Sequence, residues 1–439
     1  MAALLAASGA LVCASVAAHL PSRTPPSPAR LAGHSVSATV TVESAGVQSD
    51  SQGFAGVEHS TRFTATATSI TTATERVELR MPVLVFLRSN APASVSIGAQ
   101  LALTGRLKAT DPGESVASLF FAESPGAALA SPPWYLDWAN HLRDSFRESS
   151  VGLPGAGAQL VPGLAIGDVS LVSDELDTSM TTSGLSHLTA VSGANCAIVV
   201  AAIMLLGGAL RLSRRWRIAL CLVVMVAFVI LVTPSPSVLR AAVMATIVLL
   251  TLASGRAPRG LPSLALACII MLVADPWLSR SFGLALSVLA TGGLLVLTRP
   301  LHALLSRWLP TGIAMTISVP LAAQLACQPV LVLLSPTIST YSVLANLLAE
   351  PAAPVATVIG LVSCLAGALV PPLSAVGAWL TWVPASWIAG VATFFSNLPW
   401  ASIPWLGGAP GVALVIVFTA AMLVALLARE PVGESPEAR

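Results

Sequence analysis

Charged side chains are scarce in this chain: Asp, Glu, Lys and Arg make up 10% of its 439 residues, whereas 55% are hydrophobic. A soluble globular domain carries about 25% charged residues, so this composition excludes an ordinary soluble protein. Several apolar runs approach the ~20 residues that are needed to cross a bilayer. The sequence therefore predicts a polytopic α-helical membrane protein.

Acidic residues are rarest in the second part of the chain. Between residues 178 and 428 the only acids are Asp275 and Glu350, although ten arginines lie in the same stretch. A cation channel lines its pathway with carboxylates, so this near-absence argues against one. Because charge is costly inside a membrane, both acids are candidates for function.

Clustered metal ligands and paired cysteines are also missing. The six cysteines contain no C-x-x-C pair, and the six histidines are dispersed along the chain. This excludes a disulfide framework and the usual zinc patterns. We expect the cysteines to be small buried hydrophobes, and we predict no metal and no cofactor.

The first third of the chain has a different texture. Residues 1–19 are apolar and lack the positive start of a signal peptide, so we favour a retained membrane helix over a cleaved signal. Residues 20–33 form a Pro- and Ser-rich linker. Residues 34–130 are rich in Val, Thr and Ala with partial alternation, which predicts a small β-domain. Residues 131–160 contain an amphipathic connecting segment, which lies on the membrane surface or packs under the β-domain.

The region 161–428 is predicted to be a transmembrane domain of about nine core segments. These segments lie near 187–210, 216–233, 237–254, 262–278, 281–298, 313–334, 338–370, 376–397 and 409–427.

Basic residues follow alternate segments, at 211–217, at 255–259 and around Arg299 and Arg307. The positive-inside rule places these loops in the cytoplasm of a bacterial plasma membrane. Counting outward from them puts the β-domain outside the cell and the C-terminal tail, 429–439, in the cytoplasm.

The first core segment begins with an unusual density of polar residues. His187, Ser192 and Asn195 fall within one arc of about 140° if the segment is helical throughout, and Gly193 would let another backbone approach closely. Two interpretations stay open. The polar face either hydrogen-bonds to neighbouring helices or lines a passage.

Three later polar features raise the same question. Arg240 either snorkels to the interface or contacts an anion, since guanidinium binds phosphate in a bidentate manner. Gly283 and Ser287 belong to a small-residue stripe that favours packing, and Gln324 and Gln328 share one helix face.

The most unusual stretch places Ser342, Asn346 and Glu350 on one stripe before Pro351 and Pro354. Broken helices with polar residues are tolerated where they line a cavity. We expect this stretch to be functional.

With these residues laid out, the sequence resembles the ComEC competence family in four blocks that occur in the family's order. The first, "GLAIGDVSLVSDELDTSMTTSGLSHLTAVSGANCAIV", contains Gly167 and a His-Leu-x-Ala-x-Ser-Gly core that ends at Gly193. The others are "PSVLRAAVMA", "DPWLSRSFGLALSVLATGG" and "YSVLANLLAEP". Many family members carry His after the Ser-Gly core, where this chain has Asn195.

The resemblance implies an inner-membrane channel component that passes single-stranded DNA into the cytoplasm during transformation, with an OB-like outer β-domain. Longer members end in a metallo-β-lactamase-like domain whose metals need a cluster such as H-x-H-x-D-H. No such cluster occurs in this sequence, so it resembles a short member without that domain, and we expect no enzyme activity. The implied partners are single-stranded DNA, membrane lipids, a DNA receptor, a cytoplasmic motor and a separate hydrolase; a homo-oligomer also fits.

The sequence of the β-domain gives only weak support to DNA binding by the domain itself. Residues 34–130 hold six basic against eight acidic residues, a net charge of −2, whereas a nucleic-acid-binding face usually carries a basic excess. Five phenylalanines are available for base stacking, but we expect them to fill the core; they are Phe54, Phe63, Phe86, Phe120 and Phe121.

Two other functions compete with DNA passage. The first is a channel for another solute, or a degenerate member of the family. The second is an intramembrane protease, because the dipeptide Ser192-Gly193 resembles the Ser-Gly of membrane serine proteases. A serine protease needs a nearby histidine, yet the only downstream one is His302 in a predicted cytoplasmic loop, and an aspartyl protease needs a partner for Asp275. The protease is therefore the least favoured reading.

Overall fold

The computed structural model describes residues 2–23, 35–53, 56–72, 76–89, 95–111, 113–123, 126–189, 193–232, 236–255 and 259–427. Most of the predicted linker, Ser192, Phe54 and the predicted tail at 429–439 lie outside these ranges.

The chain begins with helix α1 (Ala2–Arg23), which continues past the predicted end at residue 19 and through Pro21. Its hydroxyl at Ser15 donates a hydrogen bond to the carbonyl of Val273, 2.6 Å away. The N-terminal helix therefore packs against the helical domain.

In the described part of the chain after α1, seven strands form one sheet. They are β1 (Ser35–Val42), β2 (Val47–Gly53), β3 (Gly56–Thr71), β4 (Arg76–Ser89), β5 (Gln100–Ala109), β6 (Ser118–Ala122) and β7 (Ala127–Ala130).

Five of these strands close into a barrel in the order β1-β3-β4-β6-β5, because β5 also pairs with β1. The β4–β6 pair is parallel and the other four pairs are antiparallel. A five-stranded Greek-key barrel is the architecture that the OB-like expectation describes. Alternate residues fill the interior, among them Val40, Phe63, Met81, Leu103 and Phe120, each no more than 1% exposed.

Three helices connect the barrel to the rest of the chain: α2 (Trp134–Val151), α3 (Gly155–Ile166) and α4 (Asp174–Thr182). Helix α2 packs under the barrel, where Asn140 Nδ2 donates to the carbonyl of Ile97 at 3.0 Å. It buries Phe146 while Trp134 stays 82% exposed. Helix α3 is buried along most of its length, and the predicted boundary at residue 161 falls inside it.

The remaining chain is almost entirely helical. Its helices are α5 (Gly193–Ala209), α6 (Arg214–Leu231), α7 (Pro236–Ala253), α8 (Gly260–Ala274), α9 (Phe282–Leu305), α10 (Thr311–Leu334), α11 (Ser342–Ala349), α12 (Ala352–Gly367), α13 (Pro371–Ser396) and α14 (Gly408–Leu427).

Each predicted apolar segment overlaps one of these helices or, for 338–370, the pair α11 and α12 bent by 44°. Among the described residues, three helices are long and apolar enough to cross a membrane, namely α9, α10 and α13. The bent pair makes a fourth if it is counted as one span. The predicted membrane domain is thus supported, and the number of nine crossings stays a prediction.

Helix α3 packs closely against α12 and α13. A Cβ at Gly360 would lie 2.4 Å from the Cβ of Ala165, so the two backbones cross in direct contact. The Thr357 hydroxyl donates to the carbonyl of Leu164 at 2.9 Å. Strand β8 (Thr337–Ser339), just before α11, pairs in antiparallel fashion with β9 (Ser402–Pro404), which lies between α13 and α14.

Candidate functional site

The polar start of the first core segment is not a continuous helix. Residues 186–188 form a 3₁₀ turn, and the described residues of α5 are Gly193–Ala209. The Thr189 hydroxyl closes the turn by donating to the carbonyl of Ser186 at 2.7 Å. A Cβ at Gly163 would lie 2.3 Å from the carbonyl oxygen of Thr189, so α3 holds the turn in place. The prediction that His187 shares a helical face with Asn195 is therefore wrong.

Arg240 lies in the interior of the helical domain rather than at its surface. Only 6% of the residue is exposed. Its Nε donates to the hydroxyl of Ser287 on α9 at 2.8 Å, and its Nη1 lies 3.1 Å from the sulfur of Met244. Snorkelling to the interface does not describe this position, because the guanidinium group is held between helices.

Gly193 stands directly beside the same guanidinium. A Cβ on Gly193 would lie 3.1 Å from Nη2 of Arg240 and 3.2 Å from the Cβ of Ala241. The thiols of Cys196 and Cys268 are also close enough to interact electrostatically with Arg240. We call this group the Arg240 site; its members are Gly193, Cys196, Arg240, Met244, Cys268 and Ser287.

The Arg240 site contains no carboxylate. Within the part of the chain that the structure describes, no acid lies within 4.0 Å of the guanidinium. Asn195, on the first turn of α5 and 6% exposed, adds a neutral amide near Cys196. A buried guanidinium without an ionic partner is energetically costly, and a bound anion would balance its positive charge.

A second polar group forms where α11 begins. Gly184 adopts φ +76°, and a Cβ there would lie 2.7 Å from the Cβ of Ser342. Asn346 Nδ2 donates to the carbonyls of Ser342 at 2.7 Å and Gly184 at 3.4 Å. His187 lies against the same Gly184 backbone. The structure therefore brings His187 together with Ser342 and Asn346 through a turn, and not along one helix.

Glu350 ends α11 on the stripe that the spacing predicts. It is the C-terminal cap of the helix, and its backbone amide donates to the carbonyl of Asn346 at 2.8 Å. Its side chain is half-buried. Pro351 follows at the bend between α11 and α12. Pro354 does not interrupt the helix again, because it lies in the first turn of α12, where the backbone needs no amide donor.

Asp275 lies away from the Arg240 site, in the turn between α8 and α9. Its Oδ1 accepts from the amide of Trp277 at 3.0 Å and lies 3.8 Å from Nη2 of Arg23. Arg23 also stacks over the Trp277 ring at 4.6 Å and donates to the carbonyl of Ser115 in the barrel. Burial lowers the pKa of Arg23, an effect that the charge of Asp275 opposes. Asp275 thus helps to join α1, the barrel and the helical domain.

The other predicted residues occupy separate places. Gln324 donates to Gln328 one turn further along α10, and both are half-buried. Gly283 is exposed in the first turn of α9. Gly167 ends α3 in the left-handed conformation, with φ 78°.

Sequence reasoning missed one charged group. Arg143 on α2 is 6% exposed and donates to the carbonyl of Ile230 at 3.1 Å. Burial lowers its pKa, and the nearby Asp168, also 6% exposed, raises it. Asp168 lies 3.8 Å from Nη1 of Arg147. The acidic member of this group, Asp168, could have been found from the sequence, because it belongs to the Gly-Asp pair at residues 167–168.

Apolar helices long enough to cross a bilayer, a separate β-barrel and a buried unpaired arginine define a membrane protein with a polar interior site. The chain belongs to the competence protein family, whose model matches residues 164–431. This match confirms the resemblance in the sequence, and it covers all the polar groups described above except those of the barrel, α1 and α2.

A curated relative supports the same family. The chain is 28% identical to ComE operon protein 3 of Bacillus subtilis (strain 168) over 282 residues. That alignment covers 63% of this chain and 35% of the relative, so the chain matches about a third of the relative's length. No solved structure matches the chain. In the described ranges, no three His, Cys, Asp or Glu residues are grouped to hold a metal ion.

Proposed function

We propose that this chain forms part of a passage that carries single-stranded DNA across the bacterial plasma membrane during competence, and that Arg240 contacts the phosphates of the moving strand. Membership of the competence protein family supports the role in DNA uptake. The Arg240 site supports the position of the contact.

The observation that carries the proposal is the buried guanidinium of Arg240, which has no acid among its described neighbours. Its Nε donates to Ser287, while Nη2 lies beside Gly193, where a Cβ would stand 3.1 Å away. A guanidinium binds carboxylate and phosphate oxygens in bidentate geometry, and phosphate is the group that a DNA strand presents. The scarcity of acids in the helical domain also suits a polyanion, because carboxylates along the path would repel it.

The passage of another anionic solute is the alternative that uses the same contacts. A phosphate-bearing small molecule would satisfy Arg240 equally well. The protease alternative draws no support from the geometry, since His302 lies in the last turn of α9 and Asp275 is engaged by Arg23.

The test is uptake of fluorescently labelled double-stranded DNA into the cytoplasm of a competent host. Four strains are compared: wild type, a deletion strain, Arg240→Ala and the matched control Arg215→Ala. Arg215 is exposed at the start of α6, so its loss removes an arginine from the same domain without touching the Arg240 site.

We expect internalised label to be lost in the deletion and in Arg240→Ala, with surface-bound DNA retained in both and with the Arg240→Ala protein still present in the membrane. Arg215→Ala should behave as wild type. Internalisation that survives the deletion contradicts a role in DNA uptake. Internalisation that is lost in the deletion but retained in Arg240→Ala removes Arg240 from the path.

A further inference from the structure

Two phenylalanines that were expected in the barrel core lie on its outer surface. The registers pair Arg62 with Phe86, Phe86 with Phe121, and Phe121 with Arg106 across the neighbouring strands β3, β4, β6 and β5. Because paired residues point to the same face of a sheet, these four side chains form one row across the outside of the barrel. We call this row the outer strip.

The aromatic centre of the outer strip is ordered. The rings of Phe86 and Phe121 stack with their centroids 5.3 Å apart and an interplanar angle of 15°. Phe121 is 39% exposed, whereas its neighbour Phe120 is 1% exposed in the core. The prediction that all five phenylalanines fill the core is therefore wrong for this pair, because alternation along the strands turns Phe86 and Phe121 outward.

Cations flank the aromatic pair on both sides. Arg62 and Arg106 are exposed at the two ends of the strip, which is three interstrand spacings, about 14 Å, long. The next outward row pairs Leu84 with Leu119 and Leu119 with Lys108, so a third cation stands beside Arg106 on β5. One acid is close: Glu123 lies 4.0 Å from Arg106, and both are more than half exposed. Such a surface pair is weak and is easily exchanged for another anion.

We propose that the outer strip binds a segment of unpaired nucleic acid, with bases stacking on Phe86 and Phe121 and phosphates contacting Arg62, Arg106 and Lys108. Proteins that hold single strands combine aromatic platforms with cations that follow the backbone. The net charge of −2 over residues 34–130 does not oppose this, because the basic residues are concentrated locally. The choice of DNA as the strand rests on the proposed function.

A duplex suits the strip less well. Its bases are stacked inside the helix and cannot reach the phenylalanine rings, so only the phosphate contacts would remain. Single strands should therefore bind more tightly than duplexes of the same length.

The test is fluorescence anisotropy with a labelled oligothymidylate and the full chain in detergent or nanodiscs. The aromatic variant carries Phe86→Ala with Phe121→Ala, and its conservative counterpart carries Tyr at both positions. The cationic variant carries Arg62→Gln with Arg106→Gln. The matched control is Arg80→Gln, an exposed arginine on β4 that lies six residues, about 20 Å, from Phe86.

We expect the aromatic variant to lose affinity by roughly tenfold or more, with rescue by tyrosine and little change in salt dependence. The cationic variant should lose affinity and flatten the slope of log K against log salt by roughly 1.4, the value for two phosphate contacts to a single strand. Arg80→Gln should match wild type.

Wild-type affinity in the aromatic variant, or equal affinity for duplex and single strand, overturns the proposal. The experiment separates this inference from the passage itself, because DNA uptake is measured beside oligonucleotide binding in the same outer-strip variants. If the aromatic variant loses oligonucleotide binding but keeps normal uptake, the passage proposal stands. If the aromatic variant keeps oligonucleotide binding but loses uptake, the outer strip alone is rejected.

Discussion

Gly193 and Arg240 lie so close together that a single methyl group on Gly193 would stand 3.1 Å from Nη2 of the guanidinium. The two residues belong to different helices, α5 and α7. Gly193 therefore allows α5 to approach the guanidinium of Arg240 more closely than a residue with a side chain would.

Gly193→Ala should impair DNA internalisation because the added Cβ forces the guanidinium away from its position beside Ser287. The contact is tighter than ordinary van der Waals distance, and Ala241 blocks relaxation on the other side at 3.2 Å. We expect a loss of roughly tenfold or more in internalised label, a factor that corresponds to about 1.4 kcal/mol.

The matched control for this prediction lies on the same helix. A Cβ at Gly208 would stand 3.2 Å from Nη1 of Arg217, almost the same contact at a different arginine. Gly208→Ala should therefore retain uptake. Equal uptake in the two variants would mean that crowding at Gly193 does not act through Arg240.

Gly184→Ala should destabilise the turn that holds His187, Ser342 and Asn346. Alanine at φ +76° is strained, and its Cβ would lie 2.7 Å from that of buried Ser342. Gly155→Ala is the control, because Gly155 has φ +68° but no atom within 4 Å of the new Cβ. The strain alone costs about 1–2 kcal/mol, and the clash adds about 1–3 kcal/mol.

The measurement is the apparent melting temperature of each purified variant in the same detergent. We expect Gly184→Ala to melt lower than Gly155→Ala. Equal melting temperatures would show that Ser342 moves aside and that the turn is not a fixed point of the fold.

Asp275→Asn should retain DNA uptake, because Asp275 joins elements and does not belong to the Arg240 site. Asparagine preserves the cap on Trp277 and removes only the partly exposed ion pair with Arg23, which is worth about 0–1 kcal/mol. Asp275→Ala also removes the cap and should cost about 1 kcal/mol more. Uptake that fails in Asp275→Asn at normal membrane abundance would instead place the carboxylate on the passage.

The local elements of this fold could be predicted from the sequence because they depend on local patterns. The apolar segments, the β-domain and the break at Pro351 all follow from hydropathy, alternation and proline chemistry. The stripe of Ser342, Asn346 and Glu350 needed only the helical period. The family was also identified from ordered sequence blocks, and the match over 164–431 confirms it.

Contacts between distant segments were beyond the sequence. The stacking of Phe86 on Phe121 depends on the register between β4 and β6, which a single strand does not encode. The pairing of Arg240 with Ser287 depends on how α7 packs against α9. The 3₁₀ turn at His187 was missed because α3 imposes it from a distance through Gly163.

The central claim is that Arg240 is kept for an anion and not for the stability of the fold. Arg240→Met tests it most directly, because methionine fills a similar volume beside Met244 without a charge. Replacing a buried charge with a well-packed apolar side chain is often neutral or stabilising.

The decisive measurement is DNA internalisation by Arg240→Met at wild-type membrane abundance, read beside the melting temperature of the purified protein. The account predicts that internalisation is lost while the melting temperature is equal to or above that of wild type. Normal internalisation, or a loss of uptake accompanied by a lower melting temperature, would contradict the claim that the guanidinium serves the passing strand.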